Sequence, residues 1–301
     1  MEKIIILGCG AALPTSKRNP TAQILENSGR FFLIDCGEGT QSRLRENKLS
    51  FEKITHIFIS HMHGDHYLGL PGLISSMQLL GRKKKLDLYG PPDLWEVLKF
   101  QFKVSKTTIN FELNFHPVES ETILFEDKNI NVLSVKLNHR ISCFGFIFKE
   151  KPKLRRINGP AVKDIGVPYY KMSGLRNGED YTNAEGDLFS NSCLTLEPKK
   201  SFSYAFCSDN RIKFTLIDKL KGVSHLYHEA TFLDLEKERA KSTYHTTVKE
   251  ACELAQKVNP KLLILGHFSA RYENITELKE EAEANFKNVI MAEDGKVINF
   301  K

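Results

Sequence analysis

Apolar residues in this chain fall into short runs separated by Gly, Pro, Asn, Asp and charged residues. The runs KIIILG (3–8), RFFLID (30–35), ITHIFIS (54–60), LDLYG (86–90), INVLSVKLN (130–138), CFGFIFK (143–149), SFSYAFCS (201–208), SHLYHE (224–229) and KLLILG (261–266) predict strands. The spacing of apolar positions predicts helices at Leu68–Leu80, at Asp93–Val104 behind Pro91 and Pro92, at Thr247–Val258 and at Ile275–Phe286. Strand-rich, then mixed, then alternating, the order is that of an α/β protein, and there is no internal repeat or low-complexity tract. One stretch breaks the rhythm. From Lys149 to about Ser190 the chain is charged, rich in Gly, Pro and Tyr, and lacks clear periodicity. A segment that long without regular structure is an insertion with a function or a linker, and it reads as a protruding arm.

Length allows one large domain or two smaller ones, and 41% hydrophobic with 27% charged residues is ordinary for a globular protein. No apolar stretch approaches the ~18–20 residues of a membrane span. The aliphatics after Lys3 are too few for a signal-peptide core, so no membrane association and a cytoplasmic location are expected. Cys9, Cys36, Cys143, Cys193, Cys207 and Cys252 are scattered without a C-x-x-C pair and read as reduced core residues. Charge matters once it is located. Of the net +6, the whole excess lies between Lys149 and Arg176, where eight basic residues meet two acidic ones. With GRKKK at 81–85, this raises the case for a polyanionic partner over a merely solvated loop.

The chemistry concentrates elsewhere. SHMHGDH places His61, His63, Asp65 and His66 directly behind a predicted buried strand, where polar groups are expensive unless something binds them. His139, Asp209 and His267 also follow predicted strands, and side chains just past strand carboxyl ends converge on one crevice in layered α/β proteins. Imidazole and carboxylate suit zinc and similar divalent ions. Seven such groups exceed one tetrahedral ion and suit two, with one carboxylate between them. Any one of these histidines alone reads as a hydrogen-bonded structural residue; the cluster does not. The glycines of LGCGAALPTSKRNP do not form a dinucleotide-binding turn, because Leu13 takes the third glycine position and Pro14 stops the helix that should follow.

SHMHGDH, the preceding LIDCGEGTQ and the strand-end His, Asp and His together resemble the metallo-β-lactamase superfamily. More narrowly, LGCGAALPTSKRNPTA, LGLPGL, HEAT (228–231), HTT (245–247) and LGHFSARY (265–272) resemble the ribonuclease Z family of tRNA 3′-end endonucleases, in order and from end to end. The resemblance implies an αββα sandwich, one catalytic domain over 1–301 with an inserted exosite arm near 149–190, and a homodimer. It implies two zinc ions per subunit, other divalent ions being possible. His61, His63 and His139 would hold one, Asp65, His66 and His267 the other, and Asp209 would bridge them. Asp35, in the first acidic motif, would brace the histidine loop rather than touch metal.

The same resemblance implies a mechanism. A water activated between the ions would attack the phosphorus after the discriminator nucleotide of precursor tRNA, leaving a 3′-hydroxyl on the tRNA and a 5′-phosphate on the trailer. Asp65 would take the nucleophile's proton, His245 would serve the leaving group, and Glu229 would orient His245 and keep it protonated. Lys153, Arg155 and Arg156 of the arm, with Arg271 in LGHFSARY, are the candidate RNA contacts. GVPYYKMSGLRNGED carries aromatics where many relatives have a Gly-Pro turn, and Glu179, Asp180, Glu185 and Asp187 make the arm's second half acidic. Two other readings stand beside this one. A hydrolase of small phosphodiesters or other esters on the same fold would need no basic arm, and a metal-containing RNA-binding protein would need neither Glu229 nor His245.

Overall fold

The computed structural model describes residues 1–213 and 215–300, and in it the apolar runs become the strands of two seven-stranded sheets. The first sheet takes β1 (Lys3–Gly8), β2 (Ala22–Asn27), β3 (Arg30–Cys36), β4 (Ile54–Phe58), β5 (Leu86–Gly90) and β6 (Leu113–Pro117). The second takes β7 (Ile123–Glu126), β8 (Ile130–Leu137), β9 (Cys143–Glu150), β10 (Ser203–Cys207), β11 (His225–Glu229), β12 (Leu262–Gly266) and β13 (Val289–Met291). The last strand, β14 (Val297–Asn299), returns to pair with β1.

The strands read as continuous apolar runs because both of their faces are covered. Along β1, Ile4 and Ile6 enter the core shared with the second sheet, whereas Ile5 and Leu7 enter a separate core. Phe32 and Ile34 against Phe31 and Leu33 divide in the same way along β3. The separate core is filled by Leu70, Leu73, Ile74 and Met77 of the helix Leu70–Leu79 and by Leu94 and Leu98 of Pro92–Val104. On the second sheet, Val248, Ala251, Cys252, Ala255 and Val258 bury one face of the helix Val248–Val258, which starts at a Thr247–Glu250 capping box. The result is an αββα sandwich, as the resemblance implies. Phe58 ties the two sheets, its ring 5.4 Å from those of both Phe146 and Phe148. Truncating such a ring to Ala costs about 3–5 kcal/mol.

Residues 150–201 form a compact unit of their own, separate from the unit made by 1–149 and 202 onward. Val162, Val167, Leu175, Tyr181 and Leu194 make its core, with the helices Gly159–Ile165 and Met172–Arg176 and two two-stranded sheets around them. Asn191 is buried there and donates to the carbonyls of Leu175 and Glu179, both at 2.7 Å. The stretch that lacks periodicity in sequence is therefore folded. Its elements are two to seven residues long, too short for a period to register. Tyr169 and Tyr170 stand out from it, 90% and 76% exposed.

Five cysteines are buried, as expected, and burial pushes the thiols of Cys36 and Cys252 up to about 12. Cys193 departs from the expectation and is exposed within 150–201. No helix among the described residues is long and apolar enough to cross a membrane.

Candidate metal centre and acid pair

Parallel pairing brings the site together. β3 and β4 run side by side with Ile34 opposite Phe58, so Asp35 and the loop from Ser60 to His66 leave the same sheet edge. β10, β11 and β12 are also parallel, with Cys207 opposite His228 and Glu229 opposite Gly266, so Asp209, Thr231 and His267 emerge at one edge of the second sheet. The histidine loop turns through one short helix, Gly64–Tyr67, which returns Asp65 and His66 toward Asp35. Two glycines permit that turn. A Cβ on Gly37 would lie 2.4 Å from the Asp65 carbonyl oxygen, and one on Gly69 would lie 2.2 Å from that of Gly37. Asp35 and His267 hold φ of 55° and 59°, a left-handed conformation that non-glycine residues adopt mainly where a site demands it.

Two groups of donor atoms result. In the first, His63 Nδ1 lies 3.0 Å from His61 Nε2 and 3.2 Å from His139 Nε2. In the second, Asp65 Oδ2 lies 3.4 Å from both His66 Nε2 and His267 Nε2. Asp209 belongs to both. Its Oδ2 is 3.6 Å from His61 Nε2 and 3.8 Å from His139 Nε2, while its Oδ1 is 3.3 Å from His66 Nε2 and 3.1 Å from His267 Nε2.

The far side of each ring sets its tautomer. Nδ1 of His61 meets Ser60 Oγ at 2.9 Å, that of His66 meets Asp35 Oδ2 at 2.7 Å, that of His139 meets the Tyr244 carbonyl at 3.1 Å, and that of His267 meets Thr231 Oγ1 at 3.1 Å. With Nδ1 donating, Nε2 offers a lone pair inward. His63 is the inverted member and presents Nδ1. Asp35 also accepts from Ser60 N at 2.8 Å and Ser60 Oγ at 2.9 Å, so it braces the loop.

Electrostatics favour a cation. Burial, reinforced by His66, holds His61 well below the usual histidine range and so neutral, and burial lowers His63 and His139 against the pull of Asp209. Burial alone would protonate Asp65 and Asp209, but neighbouring histidines, His66 first for Asp65 and His267 first for Asp209, keep both ionised. Burial opposes charge on His66 as well, yet Asp65, Asp209 and Asp35 push its pKa up. Anionic oxygen and imidazole nitrogen therefore face one another with positive charge in demand. Among the described residues, His66 Nε2 and Asp209 Oδ1 are buried without a hydrogen-bond partner; they are close enough to attract each other and too misaligned to bond. These nitrogen and oxygen donors fit divalent metal.

Beside these two donor groups stands a second arrangement. His245 Nδ1 lies 3.0 Å from Glu229 Oε1, which also accepts from the backbone N–H groups of Asn210 and Thr246, both at 3.0 Å. Glu229 Oε2 accepts from Thr231 N at 3.1 Å and Thr231 Oγ1 at 2.7 Å. Glu229 is completely buried; burial favours its neutral form, but His245 outweighs that and lowers its pKa. For His245 burial disfavours the imidazolium, Glu229 and then Asp209 outweigh it, and the pKa rises to about 9. His245 and the histidine–aspartate cluster open onto a cleft of about 540 Å³ lined also by Leu13, Arg140 and Phe232.

The predicted RNA contacts all have protein partners. Within 150–201, Lys153 pairs with Glu150 at 2.9 Å, Arg155 with Glu197 at 2.7 Å, and Arg156 Nε donates to the Glu197 carbonyl at 3.0 Å. Arg271 pairs with Glu236 at 2.8 Å, its guanidinium 5.6 Å from the Phe232 ring centre. Arg140, which the sequence reading passed over, is a cation in the cleft itself; its position directly after His139 was the available signal.

A double sheet with a histidine–aspartate cluster along one edge defines a metal-dependent hydrolase of the metallo-β-lactamase fold. Solved structures agree. Human tRNase Z, short form (ELAC1), matches with a TM-score of 0.73 and 27% identity over 98% of each chain. YhfI of Bacillus subtilis, described as a metallo-beta-lactamase fold protein, matches with 0.70 and 18% identity over 99% of each. Residues 2–154 fall within the sequence family described as Anti-Pycsar protein Apyc1. Two curated relatives named Ribonuclease Z extend over the whole length. That of Bacteroides fragilis (strain YCH46) is 41% identical over 99% of this chain and all of its own, and that of Parabacteroides distasonis is 40% identical over 97% of each. The chain belongs to the ribonuclease Z family, the metal-dependent endoribonucleases of this fold.

Proposed function

We propose that this chain is a zinc-dependent endoribonuclease that removes 3′ trailers from precursor tRNA, leaving a 3′-hydroxyl on the tRNA and a 5′-phosphate on the trailer. The observation that carries the two-ion reading is Asp209, one carboxylate oxygen turned to each histidine group. His61, His63 and His139 would hold one ion and Asp65, His66 and His267 the other, with Asp209 serving both. When bound, such a pair lowers the pKa of water and stabilises charge on the attacking and leaving oxygens of an in-line displacement.

The remaining work falls to the chain's own groups. Asp65 Oδ2 is anchored by the Ala12 N–H at 2.8 Å, leaving its other oxygen to receive a proton from the attacking water. His245 Nδ1 is held by Glu229, so its Nε2 donates to the departing ribose 3′-oxygen as the P–O3′ bond breaks. Arg140 neutralises phosphate in the cleft. Lys153, Arg155 and Arg156 supply sequence-independent affinity for the RNA through released counterions. The working form is a cytoplasmic homodimer, and light scattering tests the dimer directly.

The test is to incubate purified protein with precursor tRNA and with a small chromogenic phosphodiester, with and without chelator, and to map the RNA ends. Trailer removal with the stated ends, abolished by chelator and restored by zinc, supports the proposal. Turnover of the small ester alone favours the small-phosphodiester reading instead.

A further inference from the structure

Two hydroxyls stand behind the metal cluster in matching chemical positions. Ser60 Oγ lies 2.9 Å from His61 Nδ1 and donates to Asp35 Oδ2 at 2.9 Å. Thr231 Oγ1 lies 3.1 Å from His267 Nδ1 and donates to Glu229 Oε2 at 2.7 Å. In the Thr231 chain the direction is forced. The ionised Glu229 carboxylate only accepts, so the hydroxyl spends its one hydrogen there and takes its own bond from the imidazole N–H.

The two carboxylates differ in what else they hold. The remaining partners of Asp35 are Ser60 N and His66 Nδ1, so that relay serves the histidine cluster alone. Glu229 also accepts from His245 Nδ1, and Thr231 Oγ1 is itself 3.3 Å from that nitrogen. A single hydroxyl thus lies within hydrogen-bond distance of a cluster histidine, the buried glutamate and His245.

We infer that Thr231 is a positioning residue that couples the Asp65–His66–His267 group to the Glu229–His245 pair. This rests on the proposed reading of His267 as a metal ligand. The hydroxyl holds His267 in the tautomer that offers Nε2 inward. It also holds the Glu229 carboxylate so that Oε1 faces His245. It acts through His267 and Glu229. Without it, His267 Nδ1–H loses its acceptor, and Glu229 Oε2 keeps only the Thr231 backbone N–H.

The test compares Thr231→Val, which keeps the shape, with Thr231→Ser, which keeps the hydroxyl, and with Ser60→Ala on the other relay. Metal content is measured after dialysis against graded chelator, kcat and KM on precursor tRNA at both limiting and saturating zinc, and the thermal midpoint alongside. Thr231→Val is expected to lose metal at a chelator level ~10–100-fold below wild type and to lose kcat by a similar factor, the usual scale for partners of metal ligands. Saturating zinc should restore turnover in Ser60→Ala but leave kcat low in Thr231→Val, because Glu229 and His245 stay misaligned. Thr231→Ser should follow wild type in both measurements. Full rescue of Thr231→Val by zinc, wild-type behaviour of that variant, or equal damage in Thr231→Ser would overturn the coupling. Should Thr231→Val fail to fold, Thr231→Cys, of similar size with a weaker donor, is judged by the same outcomes. If wild type itself binds no metal or cuts no RNA, the proposed function fails rather than this coupling.

Discussion

Glu229 accepts a hydrogen bond from His245 Nδ1 at 3.0 Å while three backbone N–H groups and the Thr231 hydroxyl fix its two oxygens from the other side. The carboxylate cannot turn away, so His245 keeps one face for the pair and one for the cleft. Its pKa, raised to about 9, makes the imidazolium available as an acid through neutral pH. Metal held beside Asp209 would take up part of that field, so the basic limb of kcat should fall between 6.5 and 9. Glu229→Gln should move the limb toward 6.5, lowering activity at pH 8 far more than at pH 6. The linkage to stability has the same sign. A raised folded pKa gives a contribution complete below about 6.5 and lost as pH climbs through 9. His245→Ala should lower turnover by ~10²–10⁴-fold with metal content unchanged. Metal loss in that variant would make His245 a ligand, a role its Nε2, 3.9 Å from Asp209 Oδ2, is near enough to fill.

Asp209→Ala is expected to abolish activity and to release more metal than His139→Ala, because one oxygen of Asp209 faces each histidine group. Elemental analysis of both variants decides. Full occupancy of two ions in Asp209→Ala would remove its bridging role.

Metal-free protein should unfold at a lower temperature than the loaded form, with a midpoint that rises with added zinc, since ligand binding to the folded state alone stabilises by mass action. Calcium should fail to raise it, because a histidine-rich donor set is poor for a hard cation. Scanning calorimetry with each ion gives the answer. Equal effects of zinc and calcium would point to non-specific charge neutralisation.

Residues 150–201 should be removable. Lys149 and Ser203 are partners across the antiparallel β9–β10 pair, so a short flexible linker closes the gap. Cutting only Lys153–Glu185 would strand Thr195–Leu196, which pairs with Arg156–Ile157, so the whole unit is the better excision. Hydrolysis of a small phosphodiester should survive while precursor-tRNA cleavage collapses through weaker binding. Charge reversal at Lys153, Arg155 and Arg156 should reproduce part of the loss and flatten the salt dependence. Equal loss on both substrates would mean that the unit is structural.

The cluster was legible in sequence because its histidines and aspartates follow strands whose own apolar runs are unmistakable. Ile54–Phe58 announces His61, and Leu262–Gly266 announces His267. Ala22–Asn27 was not legible, because Gln23 is buried within it and bonded to the Tyr204 hydroxyl, which masks the apolar pattern. Leu113–Pro117 and Ile123–Glu126 are half-exposed edge strands with weak signatures. The helix predicted from Leu68 begins at Leu70, because Gly69 first closes against the Cys36 carbonyl. Thr231 is visible in sequence only as the last letter of HEAT; its role is not, because its partners His245 and His267 are distant along the chain and Glu229 is reached only across a turn.

The distribution of thiols has a practical consequence. Cys9, Cys36, Cys143, Cys207 and Cys252 are buried, and desolvation suppresses their thiolates, so maleimide reagents find little to attack in the native fold. Cys193 alone faces solvent, and it does so inside residues 150–201. The unaltered protein therefore carries a one-site handle for a fluorophore or spin label, in the segment proposed to engage RNA, where binding could be watched in real time.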